Sequence, residues 1–246
     1  MSRYDFSTQR LFVDADLAEG RMVACTPAQA NYLRNVLRLG PGDPILAFNG
    51  RDGEWRAEVA DPGRRATALA VRALVRAQEG GPDIDYLFAP LKRARLDYVV
   101  EKATEMGVAR LRPVLTRRTA VDRVNPERMR AHAIEAAEQC GILRLPHIHA
   151  PEDLKRVIYG WDASRPLIFC DEDGAEHCPF TALAMIEPGP VAVLVGPEGG
   201  FDPGERELLS SQPFVTRISL GPRILRADTA AVAALALVNA VLGDWR

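Results

Sequence analysis

A chain of 246 residues, 47% hydrophobic and 26% charged, is long enough for one or two globular domains and apolar enough to bury a substantial core. Its polar start has no apolar signal region, and its longest apolar run, Ala230–Leu242, is interrupted by Asn239 and too short to cross a bilayer; a cytoplasmic location without membrane contact is expected. The net charge of −2 hides a segregation, with 11 basic and 5 acidic residues in 86–130 against 4 basic and 10 acidic in 131–190.

Up to a break near Gln78-Glu79-Gly80-Gly81-Pro82-Asp83, short alternating runs at Arg10–Val13, Ile45–Phe48, Glu54–Val59 and Ala68–Leu74 predict strands. Turn signals separate them at Gly40-Pro41-Gly42-Asp43, Asn49-Gly50-Arg51-Asp52-Gly53 and Asp61-Pro62-Gly63. Pro27–Leu37 reads as a helix capped by Thr26, with Pro27 at its first position. Residues 1–78 are expected to form a small β-barrel-like domain.

After the break, strand and helix alternate through residues 84–246. Ile84–Leu91 predicts a strand, Arg95–Met106 a helix stopped by Gly107, Leu111–Leu115 a strand, and Glu127–Cys140 a helix stopped by Gly141. Ile148 sits in a short extended piece, Glu152–Tyr159 reads as helical, and Leu167–Cys170 as a buried strand. Val191–Val195 then runs into Gly196-Pro197-Glu198-Gly199-Gly200, and Ile218–Leu220 into Gly221-Pro222-Arg223-Ile224-Leu225-Arg226. A helix follows each loop. The first has Asp202 as cap, Pro203 at its first position and Glu205 closing a capping box. The second, Ala230–Leu242, is expected to be capped by Asp228 or Thr229 and, being apolar all round, to be buried. Repeated β-α units of this kind imply a largely parallel sheet covered on both faces.

Loops between strand ends and helix starts are where open α/β sheets hold small molecules, and glycine lets backbone approach a ligand closely. Two in series imply a bipartite pocket for an organic cofactor. The glycine pattern of a dinucleotide fold, a P-loop and a serine nucleophile elbow are all absent, which argues against hydride transfer, nucleotide hydrolysis and acyl transfer. Cysteines 25, 140, 170 and 178 form no C-x-x-C pair, and Cys170, Asp171, Asp173, His177 and Cys178 fit no zinc spacing, so no metal is expected. The basic surplus in 86–130, which includes Lys92, Arg93, Arg95, Arg110, Arg112, Arg117, Arg118 and Arg123, fits a polyanion-binding face. It fits the solvated charges of helices and loops equally well.

Leu194-Val195-Gly196-Pro197-Glu198-Gly199-Gly200-Phe201 and Leu220-Gly221-Pro222-Arg223-Ile224-Leu225-Arg226-Ala227-Asp228-Thr229-Ala230 together resemble signatures of the bacterial 16S ribosomal RNA uridine-N3 methyltransferases, small-subunit methyltransferase E, in the SPOUT superfamily. Glu101–Val108, Glu135–Gly141 and Val36-Leu37-Arg38-Leu39 with Gly42-Asp43 add to the resemblance, which spans the chain. Ile142 stands where the family usually has Arg, Asn31 where His is common, and Asp228 where Glu is usual.

The resemblance implies an α/β fold with a SPOUT-type parallel sheet tied in a C-terminal trefoil knot, a PUA-like N-terminal domain for RNA, and a homodimer. It implies S-adenosylmethionine held by Leu194, Gly196, Pro197, Glu198, Gly199, Leu220, Gly221 and Leu225. The partner it implies is 16S ribosomal RNA, in the small ribosomal subunit, and Arg34, Arg38, Arg117 and Arg118 are the arginines expected to contact it. Arg226 is the candidate for stabilising charge on the uracil oxygens, against pairing with Asp228 or a phosphate. Glu198 either accepts a proton or shapes its loop. A ribose 2′-O-methyltransferase of the same superfamily and a non-catalytic RNA-binding protein are the rival readings.

Overall fold

The computed structural model describes residues 8–61, 66–171 and 178–245. They fall into two compact units, Met1–Gly80 with Ala137–Leu145, and Gly81–Ala136 with Pro146–Arg246.

In the first unit, β1 (Arg10–Phe12), β2 (Met22–Ala24), β3 (Pro44–Phe48), β4 (Glu54–Ala60) and β5 (Ala68–Arg76) form a five-stranded sheet in the order β1-β3-β4-β5-β2. Only the β1–β3 pair is parallel. Leu11, Val23, Ile45, Ala57, Leu69 and Val71 build its core. The helix predicted over Pro27–Leu37 starts as read, with a complete capping box between Thr26 and Gln29, but only Pro27–Asn31 (α1) is α-helical. Tyr32–Val36 widens into a π-turn, with Leu37 N–H donating to the Tyr32 carbonyl at 2.9 Å, and the chain leaves it through Arg38 at φ +58°. Segment 137–145 is bound into this unit by polar contacts. Glu138 accepts the Phe12 N–H at 2.8 Å, and Arg76 donates to the Gly141 carbonyl at 2.8 Å while pairing, like Arg10, with the buried Glu54. Residues 137–141 of the Glu135–Gly141 motif therefore have packing work in the first unit.

In the second unit, β6 (Ile84–Phe88), α2 (Arg93–Glu105), β7 (Arg110–Leu115), α3 (Pro126–Cys140), β8 (His147–Ile148), β9 (Glu152–Asp153), α4 (Leu154–Tyr159), β10 (Leu167–Cys170), α5 (Pro179–Ala184), β11 (Val191–Val195), α6 (Pro203–Ser210), β12 (Val215–Ile218) and α7 (Ala227–Val241) alternate in chain order. The strands run in the order β12-β10-β11-β6-β7-β8, with β9 beside β7, and every pair is parallel. Alternation along each strand feeds two cores. Ile84, Tyr86, Phe88, Val193 and Val195 face α2, α3, α5 and α7, whereas Leu87, Ala192 and Leu194 face α4 and α6. Helix α7, expected to be buried all round, buries one face: it carries Ala231, Ala234 and Val238 inward, its buried amide Asn239 donates to the Met106 carbonyl at 2.9 Å, and Thr229 and Ala240 stay exposed. No helix among the described residues is long and apolar enough to cross a membrane.

Two expectations need correction. The strand expected at Ile218–Leu220 lies three residues earlier, because β12 pairs Ile218 with Cys170 at the end of β10 and the next residues turn into the loop. The last helix begins at Ala227, capped by the Arg226 backbone; Asp228 sits inside its first turn and takes the Thr229 N–H at 2.8 Å.

Candidate active site

Strands β12, β10 and β11 lie side by side, so the loops that follow β11 and β12 converge, with the end of β10 between them, at the C-terminal ends of the strands. There they enclose a cavity of about 220 Å³. Gly196, Pro197, Glu198, Leu220, Gly221 and Leu225, all expected at a cofactor site, line it, as does Arg226. Leu194 and Gly199 do not. Leu194 is fully buried on the opposite sheet face, in the core cluster with Phe169 and Phe201, because neighbouring strand residues point to opposite faces and Val195 takes the cavity side. Gly199 turns towards Arg118: its carbonyl accepts from Arg118 Nη1 at 2.8 Å, and a Cβ there would sit 3.6 Å from that side chain.

Two glycines are required for different reasons. A Cβ on Gly196 would lie 2.3 Å from the Phe201 ring, so the loop closes over an aromatic side chain that leaves no room for one. Gly221 adopts φ +103°, where side chains are strained, and a Cβ there would meet no atom of the described residues within 4 Å. The space beside Gly221 is open to a ligand.

The charged groups divide sharply. Glu198 pairs with Arg95 Nη1, and Asp228 accepts from Arg95 Nε at 3.0 Å. Asp171, wholly buried at the end of β10, is held by Arg217 at 2.7 Å and Arg206 at 3.4 Å. Arg226 is exposed at the cavity and makes no side-chain hydrogen bond or ion pair among the described residues, since Asp228 is engaged by Arg95. Burial pushes the Cys170 thiol, also on the cavity wall, up to about 12, which keeps it protonated and inert.

Sequence reasoning missed Cys170, Asp171 and Arg95. The first two end a strand whose place between β11 and β12 is set by topology alone. Arg95, counted in the basic surplus, meets Asp228 across 133 positions of chain, which no local pattern reveals.

The basic surplus is partly neutralised. Arg110 and Arg112 pair with the buried Asp85, and Arg128 with Asp97. Of the arginines expected to meet RNA, Arg34 in the first unit is tied to Asp61 and to Thr67 Oγ1, the latter at 2.8 Å. Arg38 is exposed. In the second unit Arg117 has 69% of its side chain exposed, with Asp202 at 3.9 Å, and Arg118 holds the Gly199 loop. Of the cysteine-histidine group, Cys178 caps α5, and Asp173 and His177 lie outside the described residues.

An RNA methyltransferase domain family matches residues 79–239, and an RNA methyltransferase PUA domain family residues 26–68. The ribosomal RNA small subunit methyltransferase E of Rickettsia conorii is 30% identical over 232 residues, 94% of this chain and 94% of its own length. Its namesake in Bacillus subtilis is 26% identical, over 94% and 96%. Among solved structures, a methyltransferase from Legionella pneumophila in complex with bound SAM superposes with TM-score 0.83 and 27% identity, over 96% of this chain and 99% of that one. The small subunit methyltransferase E of Neisseria gonorrhoeae shares the fold, at TM-score 0.81 and 23% identity, over 97% and 100%. An α/β parallel-sheet domain following a PUA-like one, matched end to end by these relatives, places this chain in the small-subunit ribosomal RNA methyltransferase E family.

Proposed function

We propose that the chain transfers a methyl group from S-adenosylmethionine to N3 of a uridine in 16S ribosomal RNA. The observation that carries this reading is the cavity at the ends of β10, β11 and β12, with Arg226 on its rim and no ion pair to it among the described residues. The wall fits the cofactor. Leu220, Leu225 and Pro197 offer apolar surface to an adenine, the loop backbones offer amides and carbonyls, and the open space at Gly221 admits a ligand atom where a Cβ would otherwise stand. At about 220 Å³ the cavity is smaller than the roughly 300–1,000 Å³ usual for ligand pockets.

When bound, the cofactor supplies an electrophilic methyl carbon on a sulfonium that leaves as a neutral thioether. The residues of this chain do the rest by position and charge. Neutral uracil N3 is a poor nucleophile, so the N–H bond must break as the N–C bond forms. Arg226 donates to the uracil oxygen on which negative charge builds, an interaction stronger in the transition state than before it. Among the described residues the carboxylates on the cavity wall, Glu198 and Asp171, are both engaged by guanidinium groups, so the proposed step releases the N3 proton to solvent. The two loops hold the reacting atoms in line.

The family resemblance supports three further parts of this reading: a trefoil knot formed by the loops, a homodimer, and a cytoplasmic enzyme acting on the small ribosomal subunit. The PUA-like domain, about residues 1–78, contributes Arg38 to RNA binding, and the methyltransferase domain, about 84–246, contributes Arg117. The test is methyl transfer by the purified chain, using cofactor labelled on its methyl group and either deproteinised 16S ribosomal RNA or small subunits. Label in the RNA is expected. A chain that binds the cofactor but labels neither substrate is a binding protein, and the proposal falls.

A further inference from the structure

Arg95 lies outside both glycine motifs, in the first turn of α2, yet its guanidinium joins them. Nη1 contacts Glu198 in the middle of the first loop, and Nε donates at 3.0 Å to Asp228, two residues beyond Arg226. Nη2 is buried with no hydrogen-bond partner among the described residues.

We propose that Arg95 is a positioning residue that clamps the two loops across the cofactor cavity and fixes Arg226 at its rim. The inference rests on the cavity being the methyl-donor site. A planar guanidinium suits the task, since its fork reaches two carboxylates at once with fixed geometry, whereas an ammonium is a point charge on a flexible stem. Glu198 belongs to the loop after β11, and Asp228 to the helix after the β12 loop. Without the clamp each loop keeps its own hydrogen bonds but loses its register with the other.

The test compares wild type with Arg95→Lys and Arg95→Met, by calorimetry with S-adenosylhomocysteine and by methyl transfer. Both variants are expected to bind about tenfold more weakly, a loss typical of coupled neighbours. Their kcat is expected to fall about 10²-fold, as for a misplacement of an ångström, with KM for RNA unchanged and melting close to wild type. Lysine is expected not to rescue. Adding Asp228→Asn to Arg95→Met is expected to cost nothing further, because the partner is already lost. Wild-type affinity and kcat in Arg95→Met, full rescue by Lys, or additive losses in the double variant would overturn the clamp. If Arg95→Met fails to fold, Arg95→Lys, which keeps the charge, decides the matter. Should wild type bind S-adenosylhomocysteine yet methylate no RNA, the functional proposal fails while the clamp is still judged by binding.

Discussion

Gly196 and Gly199 stand three positions apart in one motif and have opposite tolerances. Gly196→Ala drives a methyl into the Phe201 ring, and the loop must move to relieve it, at a cost of about 1–3 kcal/mol and with loss of cofactor binding. Gly199→Ala meets Arg118 only at ordinary contact distance and is expected to bind as wild type. Calorimetry on the two variants checks this, and equal losses would contradict it. At Arg226 the effect falls on turnover rather than on binding. Arg226→Ala is expected to keep cofactor affinity and lose roughly 10²–10³ in kcat, the usual cost of removing one such donor. With Glu198 and Asp171, the cavity carboxylates among the described residues, engaged by arginines, wild-type kcat is expected to rise with pH through the neutral-to-alkaline range, as the N3 proton leaves more easily. A flat profile would point to an internal base.

Helices α2 and α3 are joined by a charged cluster whose pH response has a definite sign. Arg128 donates to Asp97 at 2.8 and 2.6 Å, and these bonds hold the Asp97 carboxyl below its ordinary range against the opposing effect of partial burial. A carboxyl depressed in the folded state contributes stability that is present above its unfolded value, about 3.9, and is lost as pH falls through the folded value. Asp97→Asn is therefore expected to cost about 1 kcal/mol at pH 7, with Arg128 half-exposed to solvent, and less in strong acid as the carboxyl protonates. Urea melts under the two conditions measure the difference, and a cost independent of pH would deny the ion pair its role.

At this scale much of the fold was legible. The α6 cap from Asp202, Pro203 and Glu205 is complete as read, and Gly107 and Gly141 take φ +75° and +66° where helices were expected to stop. What escaped was set by tertiary context. Strand β2 shows only a single buried residue, Val23, between two exposed ones, too short for a period to register. Helix α5 follows residues with no apolar rhythm and buries Leu183 alone. The π-turn at Tyr32–Val36 keeps an apolar spacing like that of an α-helix, and only its i→i+5 hydrogen bond tells the two apart. The motif residues of the cavity were legible because glycine and proline announce a loop. Which face each one presents was not, and Leu194 and Gly199 stand off the cavity wall for that reason.

For the whole molecule, charge segregation carries less weight than the sequence implied, since several basic side chains are spent on internal pairs. Arg38 and Arg117 stay exposed, one in each unit. Arg38→Gln and Arg117→Gln are each expected to lower the salt slope of RNA binding by about 1 and to leave cofactor affinity intact. An unchanged slope would return both to ordinary solvated surface. The central claim is methyl transfer to the uracil base, and nucleoside mass spectrometry tests it most directly. Ribosomal RNA from a strain lacking this chain is expected to lack one 3-methyluridine, restored by the wild-type chain but not by Arg226→Ala. A missing methyl that travels with the sugar on fragmentation, or no missing methyl at all, would contradict it.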